Sequence, residues 1–410
     1  MIPATTSAIT KEEVQPTPPS LAAATLSPRN QRPVESSTTN VFLMTNSGDT
    51  GGTERQFAVM AEALKHGRFH IETGCILKRG PFLDSLPEIR QFPLGGSFLS
   101  RKALRSALAL RKHLRSENIT VAHAFDFYTN LLLLPTARLA GTPVVIGSMR
   151  QLGDRLSPSQ TAVLVRVLRW FPHRIVCNSR AAAERLLELG VPANKPVVIP
   201  NALPDECFDT VQPAFPPTDK LRVGLVARMN EKVKNQAALL RAAALVLKDI
   251  PNVEFILAGD GKLRPELEQL VADLGIAKQV VFLGERRDIP AVLASLDIST
   301  LTSLSESMPN AILEAMAASL PVVSTRVGGA AELIHHGETG FLVNSGDDAG
   351  LADALRMLLR SESLRKQFGS RARQIAQSQF GVATIQKQYE DLYTAVLREN
   401  RPDRPAGMSA

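Results

Sequence analysis

Two glutamates, Glu306 and Glu314, stand eight positions apart in the stretch LTSLSESMPNAILEAMA that begins at Leu301. A serine-rich turn precedes Pro309, and an apolar helical pattern follows it. Proline suits the first helical position because its missing N–H needs no partner there, and Ser307 is a candidate cap. This spacing predicts Glu306 in a loop and Glu314 a little over one turn inside the next helix. Carboxylates so placed can accept hydrogen bonds from hydroxyls at two points along an extended ligand. The amides of the helix start between them suit a negative group. Hydroxyls, a phosphate and further hydroxyls in a row describe a nucleotide sugar. A helix cap and a surface ion pair are the alternative for the same two residues.

Cations stand in a second stretch, VARMNEKVKNQ, at the end of an apolar run. Arg228 and Lys234 can converge on one diphosphate, the arginine as a planar fork and the lysine as a point charge. Lys232 competes for the lysine role, and a solvated basic loop is the alternative. A third stretch, GDTGGTE, follows the first apolar run of the chain. Gly51 and Gly52 would let the backbone approach an anion closely, and Thr53 is a candidate helix cap. A tight turn without a ligand reads as well.

These stretches need elements to position them. Short apolar runs recur as VFLMTN, TVAHAF, PVVIGS, RIVCNS and PVVIPN, and then as RVGLVAR, VEFILAG, VVFLG, DISTLTS, PVVSTRV and GFLV. Helical patterns separate most of them. Alternation of this kind, with near-continuous apolar strands, predicts parallel sheets covered on both faces. Ligands of such sheets bind beyond the carboxyl ends of the strands, where all three stretches fall. The segment from Leu203 to Lys220 carries four prolines and no periodicity, so it reads as a linker. The expected fold is α/β, with two Rossmann-like domains, 41–210 and 219–378, whose parallel sheets face a central cleft. Residues 1–40 are rich in Pro, Ser, Thr and Ala without one aromatic residue, and read as a disordered tail.

Bulk properties narrow the partners. A chain of 410 residues with 44% hydrophobic and 21% charged content has material for two cores. Its net charge of +7 suits anionic small molecules or an anionic membrane surface, and no nucleic-acid motif accompanies it. The three cysteines, Cys75, Cys177 and Cys207, fit no metal or redox spacing. There is no apolar run of membrane-spanning length and no secretory start, so a cytoplasmic protein is expected. In SRKALRSALALRKHLRSE, from Ser100, a helical wheel groups Arg101, Arg105, Arg111, Lys112 and Arg115 with Leu104 and Leu108. Ala103, Ala107, Leu110 and Leu114 lie opposite. That basic face suits an anionic membrane, with peripheral association on its inner side; an ordinary solvated face is the alternative.

Taken together, ARMNEKVKNQ, LAGDGKLRPELEQL, SESMPNAILEAMAASLPVVSTRVGGAAELI and GETGFLV resemble the C-terminal half of family 4 retaining glycosyltransferases of the GT-B fold. GGTERQ, CNSRAAAERLLELGVP and VIPNALPDECF are similar to matching parts of the N-terminal half. The resemblance implies that Arg228 and Lys234 hold the donor diphosphate, that Glu306 meets the transferred sugar and that Glu314 meets the ribose. Gly51 and Gly52 would approach the phosphate from the opposite domain, and Ser307, Met308, Pro309 and Asn310 would complete the donor site. It implies a final helix, 380–397, that crosses back to the N-terminal domain. It also implies catalysis without metal or cofactor, the nucleotide-diphosphate sugar being a co-substrate, and a saccharide or polyprenyl-linked acceptor. The product would belong to cell-surface polysaccharide or glycolipid biosynthesis.

The chain departs from the family pattern in places. Ser307 stands where a glycine is usual, which would be strained if that position needed positive φ. Met149 and Arg150 replace a frequent histidine, leaving Arg150 as an acceptor or cleft candidate. His123 keeps the first histidine of a His-x-His, whose second is Phe125; it is a second cleft candidate or a core residue. Asn201-Ala202 replaces Asn-Gly and reads as structural. A dinucleotide oxidoreductase would need Gly-x-Gly-x-x-Gly after a strand, which is missing. A non-catalytic nucleotide-sugar-binding protein on the same fold remains the alternative to an enzyme.

Overall fold

The computed structural model describes residues 39–400 apart from positions 50, 87 and 155. The segment read as a tail lies outside the described residues except at its end, where Asn40 already opens the first strand. The N-terminal half runs β1 (Asn40–Thr45), α1 (Gly52–Lys65), β2 (His70–Cys75), β3 (Arg90–Gln91), α2 (Arg101–Ser116) and β4 (Val121–Ala124). It continues with α3 (Phe127–Ala140), β5 (Val144–Met149), α4 (Pro158–Trp170), β6 (Arg174–Cys177), α5 (Arg180–Glu188) and β7 (Pro196–Val198). Its seven strands form one parallel sheet in the order β3-β2-β1-β4-β5-β6-β7.

The C-terminal half runs β8 (Leu221–Val226), α6 (Gln236–Val246), β9 (Val253–Ala258), α7 (Arg264–Asp273), β10 (Val280–Gly284), α8 (Ile289–Leu293) and β11 (Ile298–Leu301). Then come α9 (Asn310–Ala317), β12 (Val322–Thr325), α10 (Ala330–Leu333), β13 (Gly340–Val343), α11 (Asp348–Arg360), α12 (Glu362–Phe380) and α13 (Val382–Glu399). Six parallel strands lie in the order β10-β9-β8-β11-β12-β13. Two Rossmann-like halves are therefore present. Central strands are apolar throughout because helices cover both faces: Val41, Phe42, Leu43 and Met44 are all fully buried. The neighbours of β1 are β2 and β4, and those of β8 are β9 and β11. At each of these points the strand order reverses and the following loops diverge, opening a crevice. The loops after β1, β4, β8 and β11 carry the stretches singled out from sequence.

The chain crosses between the halves twice, side by side. Leu203 N–H donates to the Phe380 carbonyl at 2.7 Å, and Val382 N–H donates to the Leu203 carbonyl at 2.9 Å. Beyond the second crossing, α13 lies on the N-terminal half. Its Ile385, Tyr389, Tyr393 and Val396 share one core with Phe57, Met60 and Leu64 of α1. Helix α2 buries Ala103, Leu110 and Leu114, while Leu104 and Leu108 stay 62% and 56% exposed. Two of its cations leave the proposed basic face. Arg111 and Arg115 donate to the Leu139 and Ala140 carbonyls at 3.1 and 3.0 Å, capping the end of α3. Arg101, Lys102, Arg105 and Lys112 remain exposed.

On β4, His123 lies in the core, not in the cleft. Its Nδ1 is 2.8 Å from the Tyr393 hydroxyl and its Nε2 is 2.9 Å from Ser148 Oγ. An imidazole with one hydroxyl on each ring nitrogen needs no ligand. Burial, with the Arg150 charge nearby, holds His123 well below the usual histidine range. Below about pH 6.5 the unfolded chain therefore takes up a proton that the folded chain refuses. The contribution of His123 is full above that pH and falls by at most about 1.4 kcal/mol per pH unit below it. His123→Gln should lower the melting temperature at neutral pH. The gap to wild type should then narrow as the pH drops from about 7 to about 5; a constant gap would show that the histidine titrates normally.

Candidate functional site

The loop between β11 and α9 is fixed by backbone on both sides. Leu304 N–H donates to the Val233 carbonyl at 2.8 Å, which ties the loop to the turn that carries Lys234. Gly329 N–H donates to the Glu306 carbonyl at 3.2 Å. A Cβ on Gly328 would lie 1.9 Å from Glu306 O, and one on Gly329 would lie 1.8 Å from Ser307 O. Only glycine permits that approach. The cap of α9 is Pro309 itself, so the helix starts one residue later than the sequence suggests, and Ser307 caps nothing. Ser307 instead donates to Asn178 Oδ1 at 2.5 Å and meets Ser179 Oγ at 3.2 Å, both from the N-terminal half. Its φ is not positive, so serine is unstrained here; among the described non-glycine residues, positive φ occurs at Asn118, Asn235 and Ser319.

Glu306 therefore stands before the helix, its side chain 11% exposed. Its Oε1 accepts from Ser303 Oγ at 2.7 Å and from Lys234 Nζ at 2.5 Å. Lys232 points elsewhere, 3.6 Å from Glu266 on α7, which leaves Lys234 as the lysine of the cluster. Arg228 stands two residues beyond β8, exposed to solvent, with its carbonyl held by Gln236 Nε2 at 3.0 Å. Its charge reaches Glu54 of the facing half, where burial pushes the carboxyl up and Arg228 opposes the rise.

Across the crevice, Gly51 is the cap of α1, and Thr53 lies inside that helix rather than capping it. The Gly52 carbonyl faces Asn310, whose Nδ2 lies 3.5 Å away. Asn310 Oδ1 in turn accepts from Asn201 Nδ2 at 2.7 Å. The starts of α1 and α9 thus meet across the cleft. Further in, Glu314 is largely buried and bonded to Arg55 of α1. Burial raises the Glu314 carboxyl above the usual range, and Arg55 partly offsets the rise. Both residues line a cavity of about 980 Å³ with Cys207, Ile289, Leu293 and Arg373.

A second cavity, of about 610 Å³, opens on the N-terminal half between Glu54, Asp126, Tyr128 and Arg150. Asp126 caps α3, and burial pushes its carboxyl up to about 6. Arg150 is buried over the Phe125 ring at 4.8 Å, with one arm on Asn201 Oδ1 at 3.1 Å and another on the Tyr389 hydroxyl. Its Nε has no hydrogen-bond partner among the described residues, although it is shielded from solvent.

Sequence reasoning missed the roles of several contributors. Arg55 follows directly on the GGTE stretch, and Gly328–Gly329 stands in plain view after β12, but neither carries a local signal of its partner. Asn178 and Asn201 end apolar runs as polar residues, the only hint that they face the cleft. Glu332 of α10 accepts from the Arg180 and Ala181 amides at 2.9 Å each, closing the cleft with a carboxylate on the start of α5.

Comparison with known proteins agrees with this fold. Residues 50–206 match the family described as Glycosyltransferase Family 4, and residues 220–361 match Glycosyl transferases group 1. The N-acetyl-alpha-D-glucosaminyl L-malate synthase of Bacillus anthracis is 39% identical over 170 residues, 42% of this chain. That match spans 44% of the relative, so less than half of its length is compared. An Escherichia coli UDP-Gal:alpha-D-GlcNAc-diphosphoundecaprenol alpha-1,3-galactosyltransferase is 29% identical over 74% of this chain and 84% of its own. Among solved structures, Anabaena HepE with bound UDP and glucose superposes with a TM-score of 0.76 at 24% identity, over 87% of this chain and all of that one. A Rickettsia africae glycosyltransferase gives 0.75 at 18% identity over 88% of this chain and all of its own. Two facing Rossmann-like halves, with both family matches in register on them, place the chain in glycosyltransferase family 4, on the GT-B fold.

Proposed function

We propose that the protein transfers a sugar from a nucleotide-diphosphate sugar to a saccharide or lipid-linked acceptor, with retention of the anomeric configuration and without a metal ion. One observation carries the reading. Arg228, Lys234, Glu306 and Glu314 all lie beyond the carboxyl ends of β8 and β11, with the starts of α1 and α9 facing each other beside them. In this reading Arg228 and Lys234 neutralise the diphosphate, Glu306 receives hydroxyls of the transferred sugar and Glu314 those of the ribose. The acceptor hydroxyl attacks the anomeric carbon as its bond to the phosphate oxygen breaks, on the same face. That oxygen takes the acceptor proton, so no separate base is needed. Lys234 and Glu306 hold each other ready until the donor separates their roles. Leaving-group charge grows in the transition state, which is where two cations at the diphosphate contribute most.

The acceptor side rests on the smaller cavity. Arg150 lines it with a positive charge, and Glu54 lines it with a carboxyl. The described residues include no helix long and apolar enough to cross a membrane. The exposed Leu104 and Leu108 share α2 with the exposed Arg101, Lys102, Arg105 and Lys112, which supports docking on an anionic surface from the cytoplasmic side. Undecaprenol-linked substrates are named for the Escherichia coli relative and for a Campylobacter jejuni N-acetylgalactosaminyltransferase that is 28% identical over 85% of this chain. Both support a polyprenyl-linked acceptor and a place in polysaccharide or glycolipid assembly.

Three measurements test the reading. Arg228→Ala or Lys234→Ala should weaken nucleotide-diphosphate binding by about 10- to 150-fold, the loss of one charge-assisted hydrogen bond. Glu314→Ala should weaken it too, whereas Glu306→Ala should spare it and lower sugar transfer; equal losses in calorimetry would refute the division of roles. A protein that binds nucleotide sugars yet neither transfers nor hydrolyses them would be the non-catalytic alternative. Transfer should survive EDTA, and a loss restored by magnesium or manganese would overturn the metal-free assignment. Sedimentation at low salt should show preference for anionic over neutral vesicles, at about 1 kcal/mol per cation near the surface; equal binding to both would remove the membrane docking.

A further inference from the structure

Arg55 has no part in the chemistry above, yet it is bonded to one of the carboxylates that chemistry uses. It belongs to α1 of the N-terminal half, and Glu314 belongs to α9 of the C-terminal half, 259 positions away. Other charged and titratable groups face the same cavity without replacing it. Cys207 and Asp209 come from the linker, and Arg373 comes from α12. Burial pushes the Cys207 thiol up to about 11, so it stays neutral, and Arg373 spends its guanidinium on the Ala317 and Phe208 carbonyls. From α8 the cavity receives only apolar side chains and Pro290. Arg55 is thus the one cation bonded to Glu314 among the described residues.

A carboxylate has lone pairs on both oxygens. Arg55 engages Oε1, which leaves Oε2 for a ligand. We propose that Arg55 is a positioning residue for the donor nucleotide: reaching across from the facing half, its guanidinium holds the Glu314 carboxylate so that the second oxygen accepts the ribose hydroxyls. This inference rests on the reading that Glu314 meets the ribose. It makes nucleotide affinity depend on closure of the cleft, because the group that orients the ribose ligand sits on the other half. Without Arg55, a carboxylate this buried takes a proton more readily and stops accepting both hydroxyls. The loss should therefore be greater at low pH than at high pH.

The test is calorimetry of the full chain with UDP, GDP, ADP, CDP and dTDP at about pH 6 and about pH 8.5, each variant taken as a ratio to wild type so that nucleotide ionisation cancels. Arg55→Met keeps the aliphatic stem and removes the charge. It should bind the preferred nucleotide about tenfold more weakly at the lower pH and recover most of that at the higher. Arg55→Lys should stay within about threefold at both. The double variant Arg55→Met, Glu314→Gln, which has no carboxylate to titrate, should show no pH dependence beyond wild type. Wild-type affinity in Arg55→Met at both pH values would overturn the inference. So would a loss of equal size at both that Arg55→Lys fails to rescue, since that is the mark of a packing role. Failure of the wild type to bind any of the five nucleotides would instead refute the donor reading, and the inference with it.

Discussion

The close approach of Gly328–Gly329 to the backbone of Glu306 and Ser307 is the contact on which the rest of the cleft depends. Two carbonyls lie where a side chain would otherwise stand, so the loop before α9 can sit flat against the loop after β12. Once seated, the loop is held by the Gly329 amide, and on its other side by the bond from Leu304 to Val233. That second bond matters for charge. It places the turn bearing Lys234 and the loop bearing Glu306 in one register, so their 2.5 Å contact follows from backbone geometry rather than from two flexible side chains finding each other. The same seating presents Ser307 and Met308 to Asn178 and Asn201, which closes the two halves on each other.

Electrostatics explains how such a cleft holds buried carboxylates. Carboxylates at these depths are costly when unpaired, and each carries a cation: Lys234 on Glu306 and Arg55 on Glu314. The pairs differ in one respect. Lys234 and Glu306 come from the same half. Arg55 and Glu314 come from opposite halves, so their bond is also a tie between the halves. Glu332 adds another tie between the halves, with a carboxylate on the first amides of α5.

On the other side of the cleft, order comes from the far end of the chain. Helix α13 brings Tyr389 to Arg150 and Tyr393 to His123. Arg150 then passes its position through Asn201 to Asn310 at the start of α9. A helix that packs on one half therefore helps to align groups on the other. The hydrogen bonds at Leu203, where linker and return crossing run together, make this geometry consistent.

The sequence by itself determined the parts of this protein whose physics is local. Strands covered on both faces must be apolar, which is why ten of the later-named strands were visible as runs beside β1. Pro309 marked the helix start within one residue, which divided Glu306 from Glu314 correctly. The prolines after Leu203 marked the crossing. Other features had no local pattern to show. Strand β2, HIETGC, mixes polar residues with apolar ones because only its last three positions are buried and its outer neighbour β3 is two residues long. Ser307 looked like a cap because serine often is one, and only the fold shows its hydroxyl turned to Asn178. His123 read equally as a cleft or a core residue until α13 covered it from 270 positions away. Arg55 was one more charge on an amphipathic helix until the halves closed on Glu314. Tertiary structure alone decided these, because a buried charge or a shared hydroxyl is satisfied by whatever the fold brings near, and neighbours in space need leave no spacing in the chain.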